Sequence, residues 1–275
     1  MTSILEQWKS ESYWQSLCPE LSAKKSISST PPLSNNASPR LLQDGYTPAP
    51  GFLDLSDARA LNTAITQLKA AGEFPVWIAI YDAFWELMQA VAAPVSALLQ
   101  TEVLALPDFW AWHLDMADSG WAPHRDKNES TIRPDGLPNS LTAWVALSEV
   151  TADSGCIYMV PAPDDPYYPD LAIQQIDKWQ AVRALPAKPG DLLCWNQNVL
   201  HWGGTRSQWS PEPRVSVAFE FQRADIEPYN TPLLNPKERP DINTRRRLIA
   251  KQLLQYTHMY NIAQDVQDAA KSLVS

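Results

Sequence analysis

Histidine is scarce in this chain, with four residues in 275, and cysteine scarcer, with three. Each shortage excludes something. Cys18, Cys156 and Cys194 are too few and too scattered for a disulfide framework. The last two lie in apolar, strand-like runs and read as small buried hydrophobes. Basic residues are outnumbered 22 to 31, for a net charge of −9, which argues against nucleic acid or an anionic membrane surface as a partner. Arg245-Arg246-Arg247 is the one dense basic cluster, in a helical stretch where a solvated face is expected. Long apolar runs are also lacking. The most apolar stretch, residues 76–99, is interrupted by Asp82, Glu86, Gln89 and Pro94, so no membrane span is expected. The first nine residues lack the apolar core of a signal peptide. A cytoplasmic protein is the expectation.

What is present suits a folded core. Apolar residues make up 45% of the chain, enough for one large domain with extensions. Leu5, Trp8, Trp14 and Leu17 recur at helical spacing and predict an amphipathic helix over residues 3–18. Residues 26–40 read as a low-complexity linker or surface loop. Ser56-Asp57 predicts a helix start and Gly72 its end. A second helix is expected from Tyr81 to about Leu99, with Pro94 kinking or dividing it. From Phe109 the texture changes to short apolar or alternating runs. Strands are predicted near 109–115, 141–148, 156–160, 180–185, 191–195 and 214–222, with a short helical insertion over Asp170 to Lys178. Helical periodicity returns from about Asp241. Helices, then strands, then helices predict a mainly β jelly roll with flanking helices.

Two of the four histidines sit in purposeful contexts. His124-Arg125-Asp126 follows a turn built on Gly120-Trp121-Ala122-Pro123, and His201 follows Pro189-Gly190-Asp191-Leu192-Leu193-Cys194-Trp195. Two imidazoles and one carboxylate at a common point form the facial triad that holds non-haem Fe(II) and leaves positions open. Spacing alone decides little, because His113-Leu114-Asp115 has it too. His113 lies inside a continuous strand-like run, where a hydrogen-bonded structural histidine is expected. His124 and Asp126 sit at a turn, where functional side chains are usually presented.

The order of these pieces resembles the phytanoyl-CoA dioxygenase-like branch of the Fe(II)/2-oxoglutarate-dependent oxygenases. The resemblance covers about Asp44 to Gln222. It runs through Gly45-Tyr46, the His-x-Asp turn, the strand Leu141–Leu147, the hairpin Ser154–Pro161, Pro189-Gly190-Asp191 before the distal histidine, and Arg214-Val215-Ser216. One departure is Pro161-Ala162-Pro163-Asp164 where the family carries Pro-Gly-Ser-His. The resemblance implies a double-stranded β-helix (a cupin-like jelly roll) over residues 46–222. A helical and loop extension over 1–45 and a helical one over 223–275 would complete a single oxygenase domain.

It further implies Fe(II) on His124, Asp126 and His201, 2-oxoglutarate as cosubstrate, and O2. Arg214 would clasp the distal carboxylate of the keto acid, since a guanidinium pairs bidentately where an ammonium cannot. Ser216 would donate to the same carboxylate. Thr142 and Trp144 share the strand face implied to point toward the cosubstrate. Arg206 is a rival anchor, but it sits in a loop close to His201. Among twelve tryptophans, Trp121 and Trp202 flank the ligands and are the substrate-facing candidates. Related halogenases carry Gly or Ala where Asp126 stands, so hydroxylation or a related oxidation of a small metabolite is implied, with succinate and CO2 released. The substrate is expected to be small, free or carrier-tethered. The 164–178 insertion and both terminal segments are expected to roof its pocket. A non-oxidative cupin-like isomerase, hydrolase or ligand-binding jelly roll stays open as the alternative. It lacks support from glycine-rich repeats or a larger histidine cluster. Oligomeric state is not legible.

Overall fold

A computed structural model describes residues 3–24, 26–29, 33–127 and 129–275. Part of the linker expected over 26–40 therefore lies outside the described residues, and its end is helical. The chain opens with α1 (Ile4–Lys9), α2 (Glu11–Leu17), α3 (Pro19–Ala23) and α4 (Ala37–Asp44), then β1 (Tyr46–Ala49), α5 (Leu55–Ala70) and α6 (Asp82–Leu99). The strands β2 (Val103–Leu114), β3 (Ser140–Ala146), β4 (Ile157–Met159), β5 (Arg183–Leu185), β6 (Leu192–Asn196), β7 (His201–Gly203) and β8 (Arg214–Arg223) follow, and α7 (Ile242–Gln255) and α8 (Gln264–Val274) close the fold.

Several local expectations are corrected. The single helix predicted over 3–18 is two, because Ser10 ends α1 and caps α2, its hydroxyl accepting from the Tyr13 amide. The start of α5 is capped by Asp54, whose carboxylate takes the Ser56 amide at 2.8 Å, two residues before the predicted start. Pro94 neither divides nor ends α6. The helical insertion over 170–178 does not form, and a short 3-10 turn at Trp179–Ala181 stands after it. No residue from 171 to 178 is buried, so a helix there would have no apolar face to pack, and packing supplies most helix stability. The arginine cluster is not a solvated face. Arg245 and Arg246 are buried: Arg246 straps α7 to α1 through the carbonyls of Trp8 and Lys9, and Arg245 donates to those of Pro240 and of Ile80, just before α6.

Strands β1-β6-β3-β8-β2 form one antiparallel sheet and β5-β4-β7 a smaller one. This is the expected double-stranded β-helix with helices outside. Alternation along each strand separates two cores. On β8, Val215, Val217, Phe219 and Phe221 join α5, α6 and α7 in the larger, outer cluster. Trp144, Leu193, Trp195 and Ala218 join Ile157 and Met159 of the smaller sheet in the inner cluster. Register carries the inner face across the sheet, pairing Trp112 with Ser216 and Ser216 with Ala146, and Thr142 with both Glu220 and Trp195. Among the described residues no helix is long and apolar enough to cross a membrane.

Candidate metal centre

The His-x-Asp turn reaches β7 through paired backbones. His124 and His201 exchange amide–carbonyl bonds at 2.9 and 3.1 Å, and the amides of Gly203 and Gly120 donate to Trp121 and Gly204. Glycine is required at the crossing, because a Cβ on Gly203 would sit 2.7 Å from the Gly120 Cα. This seam brings one ligand pair against the third.

His124 Nδ1 lies 2.8 Å from the Ala122 carbonyl and His201 Nδ1 3.2 Å from that of Val199. A carbonyl only accepts, so each Nδ1 carries the proton and each Nε2 presents a lone pair. Both Nε2 atoms lie 3.3 Å from the same oxygen, Asp126 Oδ1. The other oxygen, Oδ2, is occupied. It accepts from Thr142 Oγ1 at 2.6 Å and Trp195 Nε1 at 2.8 Å. Such outer bonds fix a ligand's orientation and leave its remaining lone pairs for a metal. One donor atom from each of His124, Asp126 and His201 lies within 4.8 Å of the others, and His124 Nε2 is buried without a hydrogen-bond partner. Two neutral imidazoles and one carboxylate on one side of an open space fit a divalent iron.

A cavity of about 50 Å³ adjoins the three ligands. Arg214 lies in its wall, 1% exposed. Its Nη1 donates to the Gly155 carbonyl at 2.6 Å, and its Nε is buried without a partner. Among the described residues no carboxylate lies within ion-pair distance of it. Burial pushes the guanidinium down to about 10, so it remains a cation at neutral pH. A buried cation without a counter-ion is costly unless an anion arrives. Ser216 lies two residues along the same strand face, its hydroxyl buried and unpartnered. Trp144 lines the cavity with Nε1 unpartnered, and Trp121 lines it while donating to Tyr260. Trp202 is not brought to the cavity. It stacks on Tyr158 with centroids 5.7 Å apart. Arg206 is spent on the carbonyls of Glu212 and Ser210.

The roof differs from expectation as well. Tyr256, from the C-terminal segment, lines the cavity, but no residue of 164–178 or of the first helices does. The insertion instead clamps the back of the ligand turn, where fully buried Arg125 donates to Asp165 Oδ2 at 2.8 Å and to the Ile173 carbonyl. Asp108, Glu220 and Tyr256 were missed by sequence reasoning. Glu220 had a signal, since it continues the period-two face of Arg214, Ser216 and Ala218. Asp108 interrupts an apolar run. Tyr256 had none. Burial pushes the Glu220 carboxyl up to about 8 against the opposing pull of Lys127.

The phytanoyl-CoA dioxygenase (PhyH) family model matches residues 79–210, which include all three ligands. Fold, site and this match together liken the chain to the phytanoyl-CoA dioxygenase family of Fe(II)/2-oxoglutarate-dependent enzymes. No curated protein matches it. Among solved structures it is similar to the non-heme alpha-ketoglutarate-dependent epimerase SnoN from nogalamycin biosynthesis, at 23% identity over 69% of this chain and 80% of that one (TM-score 0.56). The carbocyclase SnoK from the same biosynthesis is 17% identical over 76% and 99% (TM-score 0.58). A nickel complex of the non-heme monooxygenase ThoJ is 14% identical over 81% and 99% (TM-score 0.60). At these identities the structures speak for the fold.

Proposed function

We propose that the protein is an Fe(II)- and 2-oxoglutarate-dependent oxygenase that hydroxylates an unactivated C–H bond of a small metabolite, releasing succinate and CO2. One observation carries this reading. The lone pairs of His124, His201 and Asp126 converge in the same cavity that holds an unpaired, buried Arg214. Iron held there supplies activation of O2 by electrons drawn from the keto acid. The remaining work belongs to the chain. Arg214 receives the distal carboxylate of 2-oxoglutarate, with Ser216 beside it, and so sets the direction in which the keto acid enters. Thr142 and Trp195 keep Asp126 Oδ2 occupied, which leaves Oδ1 as its single ligand atom. Trp110, Trp112, Trp121 and Trp144 line the cavity and exclude water around reactive chemistry. The similar structures, an epimerase, a carbocyclase and a monooxygenase, represent different outcomes on one fold. Retention of a carboxylate at Asp126 supports oxygenation over halogenation.

The test is direct. Under anaerobic conditions Fe(II) and 2-oxoglutarate together should give a weak visible charge-transfer band. With 18-O2 and a metabolite extract, mass spectrometry should find one labelled oxygen in a product and another in succinate. Absence of both the band and 2-oxoglutarate binding removes the proposal.

A further inference from the structure

Strand β8 carries an ionisable side chain at each end of its cavity face. Arg214 and Glu220 both line the cavity and stand six residues apart, roughly 20 Å along the strand. The two ends differ in kind. The Arg214 end has a cation without a counter-ion. The Glu220 end has more carboxylate than cation, because Asp108 and Glu220 share a single lysine. Lys127 Nζ lies 2.5 Å from Glu220 Oε2 and 3.7 Å from Asp108 Oδ2.

Asp108 is otherwise satisfied by Asn230 Nδ2, 2.9 Å from each of its oxygens, and by Gln255 Nε2 at 3.2 Å. Glu220 Oε2 also accepts from Gln197 Nε2 at 2.8 Å. Glu220 Oε1 accepts from no described residue, so one carboxylate oxygen remains open in a cavity wall. The ring of Tyr256 faces that end. Tyr256 packs against both Trp110 and Trp121 with centroids 4.7 Å away in each case, and all three rings line the cavity. Tyr256 feels the charges of Glu220, Asp108 and Asp126, in addition to the burial that chiefly raises its phenol.

From this placement we infer that the substrate carries a protonated amine, held between Glu220 Oε1 and the faces of Trp110, Trp121 and Tyr256. The inference rests on the oxygenase reading only in calling this occupant the substrate. Burial disfavours the ionised form of Glu220 in the empty cavity, and an arriving ammonium compensates that ionised form where a neutral hydroxyl does not. Aromatic faces attract a cation and gain little from a neutral donor. A second metal ion is disfavoured by the ammonium of Lys127 already lodged between the two carboxylates. The division of labour is then electrostatic: the keto acid's anion goes to Arg214, and the substrate's cation goes to Glu220. The triad that would hold iron opens onto the same cavity.

The experiment uses a matched pair of probes, benzylammonium and benzyl alcohol, which have the same ring and nearly the same size. Calorimetric titrations into the Fe(II)–2-oxoglutarate protein without O2 should show the cation binding about tenfold tighter. In Glu220→Gln the preference should vanish while thermal unfolding stays near that of the parent. Tyr256→Leu, a change outside the strands, should reduce the ratio about threefold. Equal binding of the two probes, binding of neither, or a preference that survives in both variants overturns the inference. The two readings fail separately. A cation preference without a charge-transfer band would leave a cation-binding cavity and remove the oxygenase. A band without the preference would do the reverse.

Discussion

Two segments of this chain read His-x-Asp, and they end up in opposite circumstances. In His124-Arg125-Asp126 both ends of the motif meet His201, and the carboxylate is buried with one oxygen reserved. In His113-Leu114-Asp115 the histidine lies on β2 opposite Val215, on the sheet face that packs against helices. The alternating pattern puts Trp110 and Trp112 in the cavity wall and sends His113 away from it. Neither of its ring nitrogens has a hydrogen-bond partner, contrary to the expected bonded structural histidine. Asp115 is half exposed and pairs with Lys69 at 2.9 Å. Identical spacing therefore carries no chemistry by itself. A turn that leaves the sheet, and a second strand that brings the third ligand, supply it.

The comparison can be broken in several ways. The largest effect is expected from Asp126→Ala. Succinate formation should fall at least about 100-fold, beyond the loss usual for outer-sphere changes, and metal analysis should find little iron retained. Asp115→Ala should retain both. If Asp126→Ala turned over 2-oxoglutarate like the parent, the distinction between the motifs would be lost. Arg214→Lys should come next. It replaces a bidentate cation by a point charge, so KM for 2-oxoglutarate should rise roughly tenfold to 100-fold, with iron content unchanged by metal analysis.

A smaller effect is expected from Trp195→Phe, which removes one of two donors to Asp126 Oδ2. Iron affinity should weaken about tenfold when measured by competition with a chelator. The smallest effect sharpens the other side. Asp115→Asn should cost no more than about 1 kcal/mol in thermal unfolding, as expected for an exposed pair. It should leave iron binding untouched. Partial burial works to raise the Asp115 carboxyl, but the bond and charge of Lys69 outweigh it and hold it below its ordinary value. Its contribution is thus complete above the ordinary carboxylate range and lost as pH falls through the depressed value. Stability measured against pH should show a slightly shallower acid decline in the variant.

Much of the architecture was legible in the residues. Short apolar and alternating runs located six of the eight strands, missing β1 and the β7 strand that carries His201, and turn residues located the ligand loop. Less was legible where a segment's fate depended on what it packs against. Residues 170–178 have helical texture without a buried face, and they stay irregular. Arg245 and Arg246 carry charge yet serve as straps, because backbone carbonyls of Trp8, Lys9 and Ile80 await them. Trp202 flanks a ligand in sequence, but the strand sends its ring to Tyr158.

The sequence by itself determined the donor set: which side chains could hold a metal, which cation could meet a keto acid, and the β-rich order that separates them. Only the tertiary structure decided that His124 and His201 share one carboxylate oxygen, that Arg214 has no counter-ion among the described residues, and that Glu220 and Tyr256 belong to the same cavity. The reason is physical. Local pattern sets the face on which a side chain emerges, within a few residues. Whether two faces meet depends on strand register and on backbone crossings such as Gly120 over Gly203, which join positions more than 80 residues apart.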